Sequence, residues 1–167
     1  MTLLFNVGDK VVYPMHGAGI IEAIEEKEIL GEKKKYYIMR IPIGDMKVMI
    51  PMGSVDEIGL REVVDNKAID DVLGILKNDQ TNMSTNWNRR YRANLDKMKS
   101  GDIYEIADVV RNLMIRDQEK GLSTGERKML DNAKQILISE LALAKELKQE
   151  DAFALLDNII SGKNASI

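Results

Sequence analysis

The sequence predicts an α+β chain in two domains, a small all-β domain over residues 1–65 followed by an all-α domain over 66–167. Three observations carry this. Apolar residues recur with period two up to Asp65 and with a helical period beyond it. Gly17, Gly19, Gly31 and Gly44 break the first part into short segments. The second part sets capping residues ahead of its apolar runs.

Asp9–Tyr13 reads as the first strand, stopping at Pro14, and Gly17-Ala18-Gly19 as the turn into a second, Ile20–Ile24. Gly31-Glu32-Lys33 is the next turn, which makes Lys33-Lys34-Lys35 a solvated hairpin tip ahead of a third strand, Lys35–Ile41. A fourth, Met46–Ile50, lies between Gly44-Asp45 and Pro51, and Leu60–Val64 can close the sheet. Short strands with glycine turns in so few residues predict a strongly bent barrel of the SH3 or Tudor kind, in which near-closure hides the strand edges. So small a core is marginal alone, and support from the second domain or from a partner is expected.

Ile69, Val72, Leu73 and Leu76 form one helical face, ended by Asn78-Asp79-Gln80. After a polar connector, Thr81–Ser84, Thr85 reads as the N-cap of a helix that passes Leu95 and Met98 and ends at Ser100-Gly101. Asp102 caps a third helix, carrying Ile106, Val109, Val110 and Leu113, that stops at Lys120-Gly121. Ser123-Thr124-Gly125-Glu126 puts Ser at N-cap and Glu at N3, a reciprocal capping box, ahead of a long amphipathic run through Leu141. Phe153, Leu156 and Ile160 mark a last short helix, and residues 162–167 read as a frayed tail. The junction Val64-Asp65-Asn66 holds neither glycine nor proline, which predicts limited motion between the domains.

At 44% hydrophobic and 31% charged residues, the composition is that of a soluble globular protein. No apolar run approaches the roughly 20 residues of a membrane span, and Met1–Asn6 is too short for a secretory leader, so a cytoplasmic protein without a membrane partner is expected. The absence of cysteine excludes disulfides, thiolate nucleophiles and Cys-ligated zinc. The single histidine, His16, has no second ligand or base beside it. Gly17-Ala18-Gly19 lacks the following helix and the Lys-Ser/Thr of a phosphate loop. Together these predict a protein that is not an enzyme and needs no metal or cofactor; a monomer is expected.

Trp87, the only tryptophan, stands in Thr85-Asn86-Trp87-Asn88-Arg89-Arg90-Tyr91-Arg92. Between Ser84 and Lys99 there are five basic residues and one acidic, although the chain as a whole carries −3. At about 100° per residue, Arg89, Arg90 and Arg92 spread into a broad basic sector. The free amides at the helix start favour a phosphate on the same side. A flat ring beside arginines is the arrangement of minor-groove wedges and of stacking platforms for unpaired bases, which read distortion more than sequence. The competing reading makes Trp87 a buried anchor in a helical domain that binds another protein. A basic face this modest gives weak, salt-sensitive DNA binding, so a second anchor on a partner protein is expected.

Four blocks resemble the CarD-type bacterial transcription regulators, which share their N-terminal module with the transcription-repair coupling factor. They are Val7–Gly17; Thr85–Leu95; Ser100-Gly101-Asp102 with Val109-Val110-Arg111; and Arg116–Ser123 with Gly125-Glu126. The resemblance implies a Tudor-like domain that docks on the RNA polymerase beta subunit. It also implies a helical domain that touches promoter DNA in the minor groove at the upstream edge of the transcription bubble, giving a longer-lived open promoter complex. The setting would then be the nucleoid, reached through polymerase. Carried onto this chain, Trp87 is the wedge and Arg89, Arg90, Arg92 and Arg127 are phosphate contacts. Relatives use arginines on the barrel for docking, and Lys27 and Met49 stand at the matching positions. Lys27 keeps the charge without the planar fork, Met49 loses it, and Lys47, two residues earlier on the same face, can compensate.

Overall fold

The structure, a computed structural model, describes residues 5–165, and the side chains of 163–165 lie outside the description. Strands β1 (Lys10–Tyr13), β2 (Gly17–Ile29), β3 (Glu32–Ile41), β4 (Met46–Pro51) and β5 (Arg61–Glu62) form one antiparallel sheet in the order β4-β3-β2-β1-β5. A 3₁₀ turn at Met52–Ser54 and a one-turn helix α1 (Val55–Ile58) separate β4 from β5. The sheet bends round a single core of Phe5, Val11, Ile21, Tyr37, Met39, Ile41, Ile50, Val55 and Leu60. Among the described residues its two edges, β4 and β5, make no ladder with each other, so closure is partial.

Two turns differ from the expectation. Gly17-Ala18-Gly19 belongs to β2, and the reversal lies at 14–16, with Met15 at φ 71. A Cβ at Gly19 would stand 2.1 Å from the Arg40 carbonyl oxygen, so this glycine serves close approach of β3 and not a turn. The β2–β3 reversal is the two-residue Leu30-Gly31, φ 52 and 81, a hairpin geometry that needs two left-handed residues. Lys33, Lys34 and Lys35 therefore lie within β3, facing Glu28, Lys27 and Glu26.

The helices are α2 (Asn66–Lys77), α3 (Trp87–Lys99), α4 (Ile103–Lys120), α5 (Thr124–Lys145) and α6 (Gln149–Ala165). Asp65 and Asp102 cap α2 and α4 by accepting from the amides of Ala68 and Tyr104. Ile69, Val72 and Leu76 of α2 meet Ile106, Val110 and Leu113 of α4, Leu130 and Leu137 of α5, and Leu156 and Ile160 of α6 in one core. The last helix is longer than expected: it runs through Gly162 to Ala165, and the rest of the expected tail, 166–167, lies outside the described residues.

The sheet and the helices meet through buried and part-buried polar contacts. Arg61 forks onto Glu140 of α5 with two bonds of 2.7 Å, and its Nε donates to the Gly101 carbonyl at 2.9 Å. Glu140, only 2% exposed, also accepts from the Val64 amide at 3.0 Å. The Ala18 amide donates to Ser139 Oγ at 2.8 Å, and Lys10 Nζ to the Leu143 carbonyl at 3.0 Å. Gly101 and Glu140 thus stand at the sheet. α4, 18 residues long, and the first 17 residues of α5 up to Glu140 carry their other ends about 25 Å away.

Removing one partner of a buried ion pair leaves the other charged and desolvated, at a cost of about 3 kcal/mol. Arg61→Ala should therefore lower the free energy of unfolding in urea by about that amount and separate the unfolding of sheet and helices. An unchanged single transition would contradict this interface.

Candidate nucleic-acid interface

The site forms at the pole of the helical domain away from the sheet, where the starts of α3 and α5 lie side by side. Trp87 is the first residue of α3, and the N-cap is Asn86, not the expected Thr85. The Asn86 Oδ1 accepts from the Arg89 amide at 3.1 Å. One residue later in cap position leaves the indole in the first turn, where no preceding turn covers it. The ring stacks on Tyr91, four residues on, with centroids 5.0 Å apart and planes at 19°. Its edge rests against Gly125, where a Cβ would meet the ring at 3.4 Å. The indole N–H donates to Ser123 Oγ at 2.9 Å. The residue is still 41% exposed, so one side of a fixed ring is left to solvent, contrary to a buried anchor.

Beneath it lies a second buried ion pair. Arg90, 4% exposed, donates from Nε and Nη2 to Glu126 at 2.7 and 3.0 Å, and from Nη1 to the Ser84 carbonyl at 3.1 Å. The bond from Arg90 holds the Glu126 carboxyl below its usual range against the opposing effect of burial, and Glu126 in turn pushes Arg90 up. The capping box is consequently half made. Ser123 accepts from the Glu126 amide at 3.2 Å, while the Glu126 carboxylate serves the guanidinium in place of the Ser123 amide.

Of the arginines read as one basic sector, only Arg89 and Arg92 stand in solvent without an ion pair among the described residues. Arg90 points inward and is not a surface cation. Arg127, on α5, is exposed but donates to Asp117 at 2.8 Å. The sector is thus narrower than the sequence suggests. Tyr91, Ser123, Gly125 and Glu126 form the mounting of the ring. A tyrosine four residues after Trp87 was the legible signal for the stack, whereas no local signal links Ser123 to the indole.

The residues expected to dock on a partner share one outer face of the sheet. Met49 pairs with Ile38 and, across it, Ala23, while Lys47 pairs with Arg40. Lys27 lies on the same face of β2, four residues beyond Ala23 and opposite Lys34. Lys47 and Arg40 both approach Glu22, at 3.4 and 3.7 Å, and Lys27 lies 3.9 Å from Glu25. Such exposed pairs contribute roughly 0–1 kcal/mol and exchange readily for partners on another protein. Met49, 42% exposed, adds an apolar contact beside them. Arg40 and Lys34 are cations on this face that the sequence reading did not place there.

The lowered Glu126 pKa fixes a pH dependence. The pair stabilises the fold fully above the unfolded value, about 4.5, and that contribution is lost as pH falls through the lower folded value. Glu126→Gln should be about 3 kcal/mol less stable than wild type at neutral pH, with the gap closing on acidification below about pH 4. Urea unfolding at both pH values checks this, and a gap independent of pH would refute the ionic pair.

Family comparison accounts for both parts of the chain. The model of the CarD-like/TRCF RID domain matches residues 5–64, and that of CarD, C-terminal domain, matches residues 71–157. The chain is 47% identical over 147 residues to YdeB of Bacillus subtilis (strain 168), which carries a provisional transcription-factor name. The match covers 88% of this chain and 96% of that protein. Two solved structures also match. The NMR structure of the 72-residue N-terminal domain of Myxococcus xanthus CarD is 40% identical over 37% of this chain and 83% of its own, with a TM-score of 0.32. A Myxococcus xanthus structure named CdnLNt is 41% identical over 38% and 90%, with a TM-score of 0.33. The chain belongs to the CarD family of transcription factors, with an RNA polymerase-interacting (RID) domain in its sheet.

Proposed function

We propose that this chain docks on the RNA polymerase beta subunit through the outer face of its sheet and holds the open promoter complex by wedging Trp87 into the minor groove at the upstream edge of the bubble. The observation that carries the reading is the indole itself, fixed on Tyr91, Gly125 and Ser123 yet 41% exposed. Its one polar group is already engaged by Ser123, so what it offers to DNA is an apolar π surface. A ring of that kind recognises an opened step and does not distinguish the bases, in a groove whose own code is degenerate.

Arg89 and Arg92, exposed in the first two turns of α3, supply phosphate contacts, with Arg127 adding a third where a phosphate competes with Asp117. Lys27, Lys47 and Met49 supply docking. Arg90 has no part in the contact and acts through the mounting. The pole carrying Trp87 lies about 25 Å from the sheet, so a sheet seated on polymerase presents the ring to DNA at a set distance.

Stacking on one base contributes about 1–3 kcal/mol, and 1–3 kcal/mol corresponds to about 5- to 150-fold in an equilibrium. With the cognate polymerase, wild type should lengthen open-complex lifetime by a factor within that range. Trp87→Ala should abolish the increase while leaving polymerase binding intact. Lys47→Glu should weaken polymerase binding and leave the fold unchanged. An unaltered lifetime with a folded, polymerase-bound Trp87→Ala protein would overturn the reading.

A further inference from the structure

Among the arginines that are buried or half-buried at their head groups, three have Nε partnered. Arg61 Nε donates to the Gly101 carbonyl, Arg90 Nε to Glu126, and Arg111 Nε to Asn112 Oδ1. Arg116 differs. It is half-buried on α4, its Nε is shielded from solvent, and that atom has no hydrogen-bond partner. A shielded donor without an acceptor is rare in folded proteins, and it leaves the Arg116 guanidinium less engaged by the protein than those of Arg61, Arg90 and Arg111.

Arg116 lines a cavity of about 200 Å³ between the last turns of α4 and the loop ahead of α3, together with Thr81, Asn82, Ser84, Thr85 and Lys120. The loop wall is fixed: the Thr81 amide donates to Asn112 Oδ1, and the Ser84 carbonyl accepts from Arg90. Lys120 is one turn beyond Arg116 and so on the same side of α4. Two features oppose an anion, the Glu119 carboxylate in the lining and the carbonyl end of α4. Glu126 is also within electrostatic reach of Arg116, but Arg90 already occupies both its oxygens. Two cations then face one free carboxylate.

We propose that this cavity is a phosphate seat, taking one backbone phosphate of the DNA strand that passes Trp87. The inference rests on the function proposed above and adds a contact to it. Position argues for DNA over a free anion. One wall, Thr85, is two residues before Trp87, and the other, Lys120, is three residues before the Ser123 that holds the indole. A phosphate bound here lies beside the wedge.

The test is the salt dependence of binding of the full chain to a labelled fork-junction duplex, read by fluorescence anisotropy. Each backbone phosphate contact contributes about 0.9 to the slope of log K against log salt. Arg116→Gln and Lys120→Gln should each lower the slope by about that amount, and Lys67→Gln, at the sheet end of α2, should leave it unchanged. Thermal unfolding identifies any misfolded variant, and the exposed Lys120 carries the test if Arg116→Gln does not fold. Slopes unchanged in folded variants overturn the seat while leaving the wedge standing. Inorganic phosphate that perturbs Trp87 fluorescence through Arg116, with unchanged DNA slopes, makes it a small-anion site and also overturns it. No DNA binding by wild type at low salt removes the reading on which the seat rests.

Discussion

The fork of Arg90 on Glu126 is the contact on which the pole carrying Trp87 depends. It joins the first turn of α3 to the first turn of α5 across 36 residues of chain, away from water. A pair so buried is a poor source of net stability, because desolvation offsets most of its attraction. What it supplies is position. With α3 and α5 fixed at their starts, Trp87 is brought over Gly125 and within reach of Ser123, and the stack on Tyr91 follows from helical spacing. A ring already held on three sides by its own chain loses little conformational freedom on contact, and that is where preorganisation gains affinity.

A similar device sits at the other end of the helical domain. Arg61 on Glu140 fixes the sheet against α5 as Arg90 on Glu126 fixes α3 against it. α5 is thus a strut with a buried glutamate near each end, each serving an arginine from another element. The small barrel, marginal by its own core, gains support from this contact. The helical domain becomes a spacer about 25 Å long between the sheet and the exposed ring of Trp87.

Much of this was legible in the residues, and the illegible part has a common cause. The change of period at Asp65, the caps at Asp102 and Ser123 and the strand segments are local, and local patterns state them. Which of three neighbouring arginines faces inward is not local, since it is decided by Glu126 far along the chain. The same distance hid the pairing of Arg61 with Glu140, 79 residues apart. Gly17 and Gly19 read as a turn because glycine marks both turns and close approaches, and only their distant neighbours, Ser139 for Gly17 and the Arg40 carbonyl for Gly19, separate the two. The lysines at 33–35 moved into β3 because Leu30 accepts a left-handed conformation that sequence preference assigns to other residues.

The central claim is that the Trp87 ring touches promoter DNA at the upstream edge of the bubble. A photoreactive phenylalanine analogue in place of Trp87, in the complex with cognate polymerase and promoter, tests it directly. The account predicts crosslinks to DNA confined to the upstream bubble edge and dependent on polymerase. Crosslinks to protein alone, or to DNA without regard to the bubble, would contradict it.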